Sequence, residues 1–159
     1  MARMLVCSYS RTKHTMHMAE AIAEAAGKVQ GIQVDLKPVQ DVKAKDLLAY
    51  DGIVIGSPTY YGTMAAQIKE LLDETVTIHG KLAGKVGGAF SSSANVGGGN
   101  ETTILDILKA MLIHGMIVQG MYSGDHYGPV AIGDVDSRSK QQCVNLGKLL
   151  GELTFKLHG

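Results

Sequence analysis

Five short strand patterns alternate along the chain with longer segments in which apolar residues recur every three or four positions. Short apolar or alternating runs are typical of strands, and the longer spacing is typical of amphipathic helices. Their regular alternation favours a parallel sheet covered on both faces by helices. The predicted strands are Met4–Cys7, Val34–Leu36, Gly52–Gly56, Lys85–Phe90 and Met116–Val118.

Four helices complete this pattern, and the third is stopped by Gly115. Ser57 and Pro58 are expected to end the third strand. In an open parallel sheet, ligands bind beyond the carboxyl ends of the strands, where the strand order reverses. The loops after strands one, three and four are therefore the candidate sites. The helix patterns run through Met18–Val29, Met64–Leu72, Ile104–Leu112 and Leu146–Leu157.

Length and charge narrow the function classes. The 159 residues correspond to a single domain spanning 1–159. The formal net charge is zero, which argues against nucleic acid or an acidic membrane surface as a partner. No segment approaches the ~20 apolar residues of a membrane span, and the N-terminus does not resemble a signal peptide. A cytoplasmic protein is expected, with Cys7 and Cys143 as reduced, buried thiols.

The first loop, Ser8–Thr15, is rich in hydroxyl groups and directly precedes a predicted helix. A helix N-terminus offers free N–H groups and a favourable dipole to an anion. No GxxxxGK[ST] or GxGxxG motif occurs, so a phosphate monoester of a mononucleotide is favoured. The alternative is that Thr12 or Thr15 simply caps the helix. His14 and His17 have helical i, i+3 spacing but no third metal ligand nearby in the sequence, so no metal site is predicted.

The second loop, Ser57–Met64, places two adjacent tyrosines after a proline, where one ring could pack on a planar ligand. The alternative is a turn with surface tyrosines. The third loop, Ser91–Thr102, could be a flexible linker. Its position instead favours backbone contacts with a ligand, and Asn100 or Thr102 could cap the following helix.

Taken together, these loops resemble the flavodoxin-like superfamily, and more narrowly the tryptophan-repressor-binding-protein family of NAD(P)H:quinone oxidoreductases. The motifs that carry this resemblance are YSRTKHT, GSPTYYGTMAAQIKELLD, FSSSANVGGGNETTI, IHGMIV, YGPVAIG and KLHG. The resemblance implies an α/β three-layer sandwich with a five-stranded parallel sheet of order 2-1-3-4-5. It also implies non-covalently bound FMN and a homodimer or homotetramer. Met-rich segments around Met64, Met111, Met116 and Met121 are a further reason to expect subunit contacts.

The resemblance also implies roles for individual residues. His114 would lie near the open face of the flavin of a neighbouring subunit, although a histidine at a helix C-terminus is also favoured by the helix dipole alone. Lys13 replaces the usual glycine, and the chain is shorter than typical members. The FMN phosphate would contact Ser10, Arg11, Thr12, Lys13, His14 and Thr15. The isoalloxazine ring would contact Pro58, Thr59, Tyr60, Tyr61 and Gly62, and its pyrimidine side Ser92, Ser93, Ala94, Asn95, Val96, Gly97 and Gly98.

Three functions follow from this resemblance. The leading hypothesis is an enzyme in which FMN accepts a hydride from NADH or NADPH and passes electrons to a quinone-like acceptor. The second is a flavodoxin-type carrier that docks on redox proteins, which the neutral charge disfavours because such carriers are strongly acidic. The third is a regulatory protein with vestigial FMN binding. Glu101 and Asp125 are the acids expected near the flavin.

Overall fold

The computed structural model describes residues 1–159 as one α/β unit. In chain order its elements are β1 (Ala2–Ser8), α1 (His14–Gly27), β2 (Ile32–Pro38), β3 (Gly52–Tyr60), β4 (Thr63–Met64), α2 (Ala66–Glu74), β5 (Val86–Ser93), α3 (Asn100–Ile113), β6 (Ile117–Val118), β7 (Val130–Ile132) and α4 (Ser137–His158). Short 3₁₀ turns cover Val39–Asp41, Ala44–Ala49 and Thr75–Ile78.

The sheet has the order β2-β1-β3-β5-β6, and its main ladder is entirely parallel. Counted as five strands, this is the predicted order 2-1-3-4-5. Side chains alternate between the two faces of each strand. In β1, Leu5 faces the core shared with α2 and α3, whereas Met4 faces the core shared with α1 and α4. The predicted parallel sheet between two helical layers is confirmed.

The structure differs from the predicted strands in two places. The third strand does not end at Ser57 and Pro58 but continues to Tyr60, where it turns back into the antiparallel β4. Proline fixes φ at a value that an extended chain accepts and removes only one donor. The fifth strand is split, because β6 ends at Val118 and β7 resumes pairing with β5 at Val130. We call the intervening segment the 119–129 loop.

Helix boundaries also differ from the prediction. Met64 belongs to β4, and α4 begins at Ser137, well before the apolar stripe that starts at Leu146. The cause is a capping box: Ser139 N donates to Asp136 Oδ1 at 2.7 Å, and Asp136 N donates to Ser139 Oγ at 2.9 Å. This local hydrogen bonding starts the helix in a polar segment that has no apolar periodicity from which a helix could be predicted.

Helices α1 and α4 pack closely because α4 carries a glycine at the contact. A Cβ atom at Gly147 would collide with the carbonyl oxygen of Ile22. Cys7 and Cys143 are buried free thiols on opposite faces of the sheet, and burial raises the pKa of each to about 12. None of the four α-helices combines the length and the hydrophobicity that a membrane-spanning helix requires.

Candidate functional site at the carboxyl edge of the sheet

The first loop presents unpaired backbone donors. The N–H groups from Ser10 to Thr15 donate to no protein acceptor, and Met16 N makes only a long bond of 3.4 Å to Ser10 Oγ. Helix α1 has no side-chain N-cap, so the alternative that Thr12 or Thr15 caps it was wrong. Lys13 adopts φ 72°, a left-handed conformation that explains why glycine is usual there. Unpaired donors at a helix N-terminus form a site for a phosphate.

Thr15 connects the first loop to the third. Its side chain is buried, and its hydroxyl lies 2.9 Å from that of Ser92 on β5. Thr12, in contrast, is exposed, and Ser10 is half-buried. The hydroxyls of Ser10 and Thr12 are therefore the ones that can reach a phosphate, while Thr15 fixes the distance between two loops.

The second loop is the tip of the β3–β4 hairpin. Tyr61 has φ 50° and is fully exposed, and Tyr60 is exposed as well. The alternative of a turn with surface tyrosines correctly describes the local conformation. This turn nevertheless lies at the carboxyl edge, beside the other two loops.

Direct contacts join the second and third loops. Gly99 has φ 99°, and a Cβ atom there would lie 2.5 Å from Gly62 Cα. Thr102 Oγ1 donates to Gly62 O at 2.7 Å, and Asn100 Nδ2 donates to Ser93 Oγ at 2.9 Å. The third loop is thus anchored at its ends and is not a flexible linker. Neither Asn100 nor Thr102 caps α3, because Gly99 occupies the N-cap position.

Substituting Gly99 tests this contact. We expect Gly99→Ala to lower the free energy of unfolding by about 2–5 kcal/mol, since a left-handed alanine costs ~1–2 kcal/mol and a new steric overlap a further ~1–3 kcal/mol. Gly97→Ala in the same loop is the control, because φ is also positive (70°) but no atom lies within 4 Å of the new Cβ. Urea denaturation measures both. Equal losses would contradict a steric role for the Gly62–Gly99 contact.

Further hydroxyl groups link β3, β5 and α3 beneath the loops. Thr59 Oγ1 lies 2.9 Å from Ser91 Oγ and accepts a 3.3 Å bond from Thr103 Oγ1. The predicted ligand residues therefore divide into two groups. In one group the side chains form hydrogen bonds within the protein; its members are Thr15, Thr59, Ser92 and Ser93. The other group is exposed along the rim of the candidate site and consists of Arg11, Thr12, Lys13, Tyr60, Tyr61, Ala94, Asn95, Val96, Gly97 and Gly98. Pro58, with Ser10 and His14, is half-buried.

The 119–129 loop borders the third loop and carries Asp125, an acid that the sequence analysis expected near the flavin. The β7 strand that follows it pairs with Ser91–Ser93, at the base of the third loop. Tyr122 on the loop is fully exposed. Asp125 accepts bonds from Val130 N and Arg138 Nη1, both at 2.8 Å. The cluster of Gly124, Gly128 and Pro129 was the available sequence signal for an ordered turn.

His114 lies away from this edge within the chain. It follows α3, whose 14 residues separate it from Gly99 by about 20 Å. The Thr75 hydroxyl donates to Leu72 O, so His114 Nε2 donates to Thr75 Oγ1, at 2.7 Å. Nδ1 is buried and has no protein partner. Burial, and secondarily His79, lowers the pKa of His114, which favours the neutral ring.

A groove of about 590 Å³ lies between α2 and α3. Thr63 and Met64 lie at one end of the groove and His114 lies at the other, with Val76 and Ile113 on its rim. No three His, Cys, Asp or Glu side chains group as metal ligands anywhere in the chain. His17 Nδ1 instead pairs with Asp134 Oδ1 at 2.8 Å.

Known proteins match this fold along its whole length. The solved structure of a flavodoxin, WrbA-like protein from Agrobacterium tumefaciens superimposes with a TM-score of 0.83 at 24% identity, covering 99% of each chain. A flavodoxin from the domain Archaea gives a TM-score of 0.78 at 26% identity, covering 96% of this chain and 99% of that one. These likenesses confirm the flavodoxin-like fold.

Sequence comparison identifies the family. A "Flavodoxin" from Aquifex aeolicus is 38% identical over 160 residues, covering 96% of this chain and 86% of that protein. An "NAD(P)H dehydrogenase (quinone)" from Rhodopseudomonas palustris is 36% identical over 200 residues, covering 100% of both. The family model for NADPH-dependent FMN reductase matches residues 38–127, more than half of the chain. The chain therefore belongs to the NADPH-dependent FMN reductase family, as a flavodoxin-like relative of the NAD(P)H dehydrogenases (quinone).

Proposed function

We propose that this protein binds FMN at the carboxyl edge of its sheet and transfers electrons from NADH or NADPH to a small quinone-like acceptor. The observation that carries the proposal is the row of unpaired N–H donors from Ser10 to Thr15, at a helix N-terminus within this family's fold. It suits one phosphate group and offers no pyrophosphate turn, which favours FMN over FAD.

The chain's residues have distinct roles in this site. Ser10 and Thr12 would donate hydroxyl hydrogen bonds to the phosphate, alongside the backbone of the first loop. The exposed Tyr60 and Tyr61 and the free N–H groups of Asn95–Gly97 would hold the ring. Thr15, Thr59, Ser92 and Ser93 keep these loops at fixed separations. The flavin supplies the hydride chemistry when bound, while the protein binds and orients it.

Stopped-flow mixing with a nicotinamide is the direct test. The FMN-loaded protein should lose its flavin absorbance rapidly with NADH or NADPH, and a quinone should restore it. An electron carrier is the second candidate, favoured by the 38% identity to the Aquifex aeolicus flavodoxin. A carrier would be reduced by a protein partner or dithionite but not by either nicotinamide, and that result would replace the enzyme assignment.

We also propose that the protein is a homodimer or homotetramer that uses the end of α3. The methionines that first suggested subunit contacts are all buried within the chain, so they do not support it. The proposed assembly is supported instead by exposed apolar side chains at this end of α3 and near it, those of Val76, Leu112, Ile113 and Ile117. In such an assembly His114 would approach a neighbouring flavin. The methionines concerned are Met64, Met111, Met116 and Met121.

Charge placed on this surface should separate the subunits. Ile113→Glu is expected to shift the light-scattering mass to that of a single chain, because a carboxylate would be buried at the interface. Leu157→Glu is the control, since that side chain is 45% exposed on α4 in the opposite layer. A wild-type monomer at micromolar concentration, or equal effects of both changes, would contradict the proposed contact.

The buried, unpaired Cys7 and Cys143 are consistent with a cytoplasmic location.

A further inference from the structure

Two residues on one face of α4 hold the 119–129 loop. Arg138 Nη1 donates to Asp125 Oδ1 at 2.8 Å, and Arg138 Nη2 donates to Val130 O. Gln142, one turn later, accepts from Asp125 N at 3.1 Å through its Oε1. The same amide packs against Gly124, where a Cβ atom would overlap it. The conformation of the loop therefore depends on α4 rather than on the loop alone.

Asp125 connects this contact to the ligand edge. Its second oxygen, Oδ2, accepts from Val130 N at 2.8 Å. Val130 is directly opposite Ser91 in the sheet, and its neighbours Ala131 and Ile132 are opposite Ser92 and Ser93. The carboxylate thus lies beside the strand end that carries the third loop. Its side chain is only 18% exposed, so its charge is weakly screened by solvent.

The position of Arg138 in α4 is electrostatically unfavourable. It lies in the first turn of α4, where a cation opposes the helix dipole. The ion pair with Asp125 offsets that cost and simultaneously cancels the acid's charge. Arg138 is the only cation that forms an ion pair with Asp125, so no other side chain compensates the charge of this carboxylate.

We propose that Arg138 is a positioning residue that masks the charge of Asp125 next to the flavin. The inference rests on the FMN site proposed above. It assigns Arg138 two effects: it orders the 119–129 loop against the third loop, and it prevents Asp125 from opposing negative charge on the reduced flavin. Removing the guanidinium unmasks a carboxylate, whereas neutralising Asp125 leaves a cation at the same place.

A charge cycle tests this assignment with Arg138→Gln, Asp125→Asn and the double variant. Arg138→Gln should weaken reduced FMN relative to oxidised FMN by roughly tenfold, which lowers the two-electron potential by about 30 mV. Asp125→Asn should shift the potential upward. The double variant should return close to the wild-type value, because the site again has no net added charge. Lys148→Gln is the matched control, since Lys148 is an exposed cation on α4 that does not contact the loop.

Three measurements separate the outcomes: oxidised FMN affinity by fluorescence quenching, the potential by dye equilibration, and amide hydrogen exchange of residues 119–129. Opposite shifts in the single variants, restored in the double, support charge masking. Shifts of the same sign, or none beyond that of Lys148→Gln, overturn it. If the wild-type protein binds FMN but the cycle fails, only this inference falls. If the wild-type protein does not bind FMN, the proposed function falls with it.

Discussion

Removing the hydroxyl groups of Ser10 and Thr12 together should weaken FMN binding by about 100-fold or more. Each hydrogen bond to a charged phosphate is worth roughly 1.5–3 kcal/mol, and 1.4 kcal/mol corresponds to a tenfold change in affinity. Ser10 accepts only one long backbone bond and Thr12 makes none within the chain, so the Ser10→Ala/Thr12→Ala variant should fold normally. Titration of flavin fluorescence measures the affinity.

Two comparisons make this result specific. Thr77→Ala removes an exposed hydroxyl far from the carboxyl edge, which donates only to Glu74 O, and should leave FMN binding unchanged. Thr15→Val should lower stability as well as affinity, because Thr15 is buried and bonded to Ser92. If the double variant binds FMN as tightly as the wild-type protein, the first loop is not the phosphate site.

Titration of the FMN-loaded protein with dithionite should take the flavin from oxidised to fully reduced with little one-electron-reduced form. Acids around a flavin disfavour the anionic, fully reduced state. Two unit charges ~4 Å apart interact by ~4 kcal/mol at an effective dielectric of 20. The first loop contributes two positive charges, those of Arg11 and Lys13, and the negative charge of Asp125 is compensated by its ion pair with Arg138. Glu101 is the remaining acid on the three loops and is exposed to solvent.

Reversing one charge provides the matched comparison. Arg11→Glu changes an exposed side chain that makes no hydrogen bond or ion pair within the chain, and should increase the one-electron-reduced fraction seen by absorbance. If that form already accounts for most of the flavin in the wild-type protein, a carrier explains the protein better than a nicotinamide-dependent enzyme.

The sequence by itself determined the layers of the fold and the three loops that lie together at the carboxyl edge of the sheet. Short apolar runs predicted the centres of β1, β3 and β5, because a strand buried on both faces must be apolar throughout. Hydroxyls and glycines at the carboxyl ends of those strands predicted the three loops. These features depend on residues close together in the chain, so local patterns were sufficient.

The tertiary structure decided which polar groups of these loops are exposed and which hydrogen-bond within the protein. Thr15 meets Ser92 across 77 positions of sequence, and no periodicity indicates which of several hydroxyls will find a buried partner. The burial of His114 against Thr75 is a contact between different elements. Arg138 on α4 pairs with Asp125 in the 119–129 loop. Such contacts depend on how elements dock, and docking is determined by the packing of the whole core rather than by any one segment.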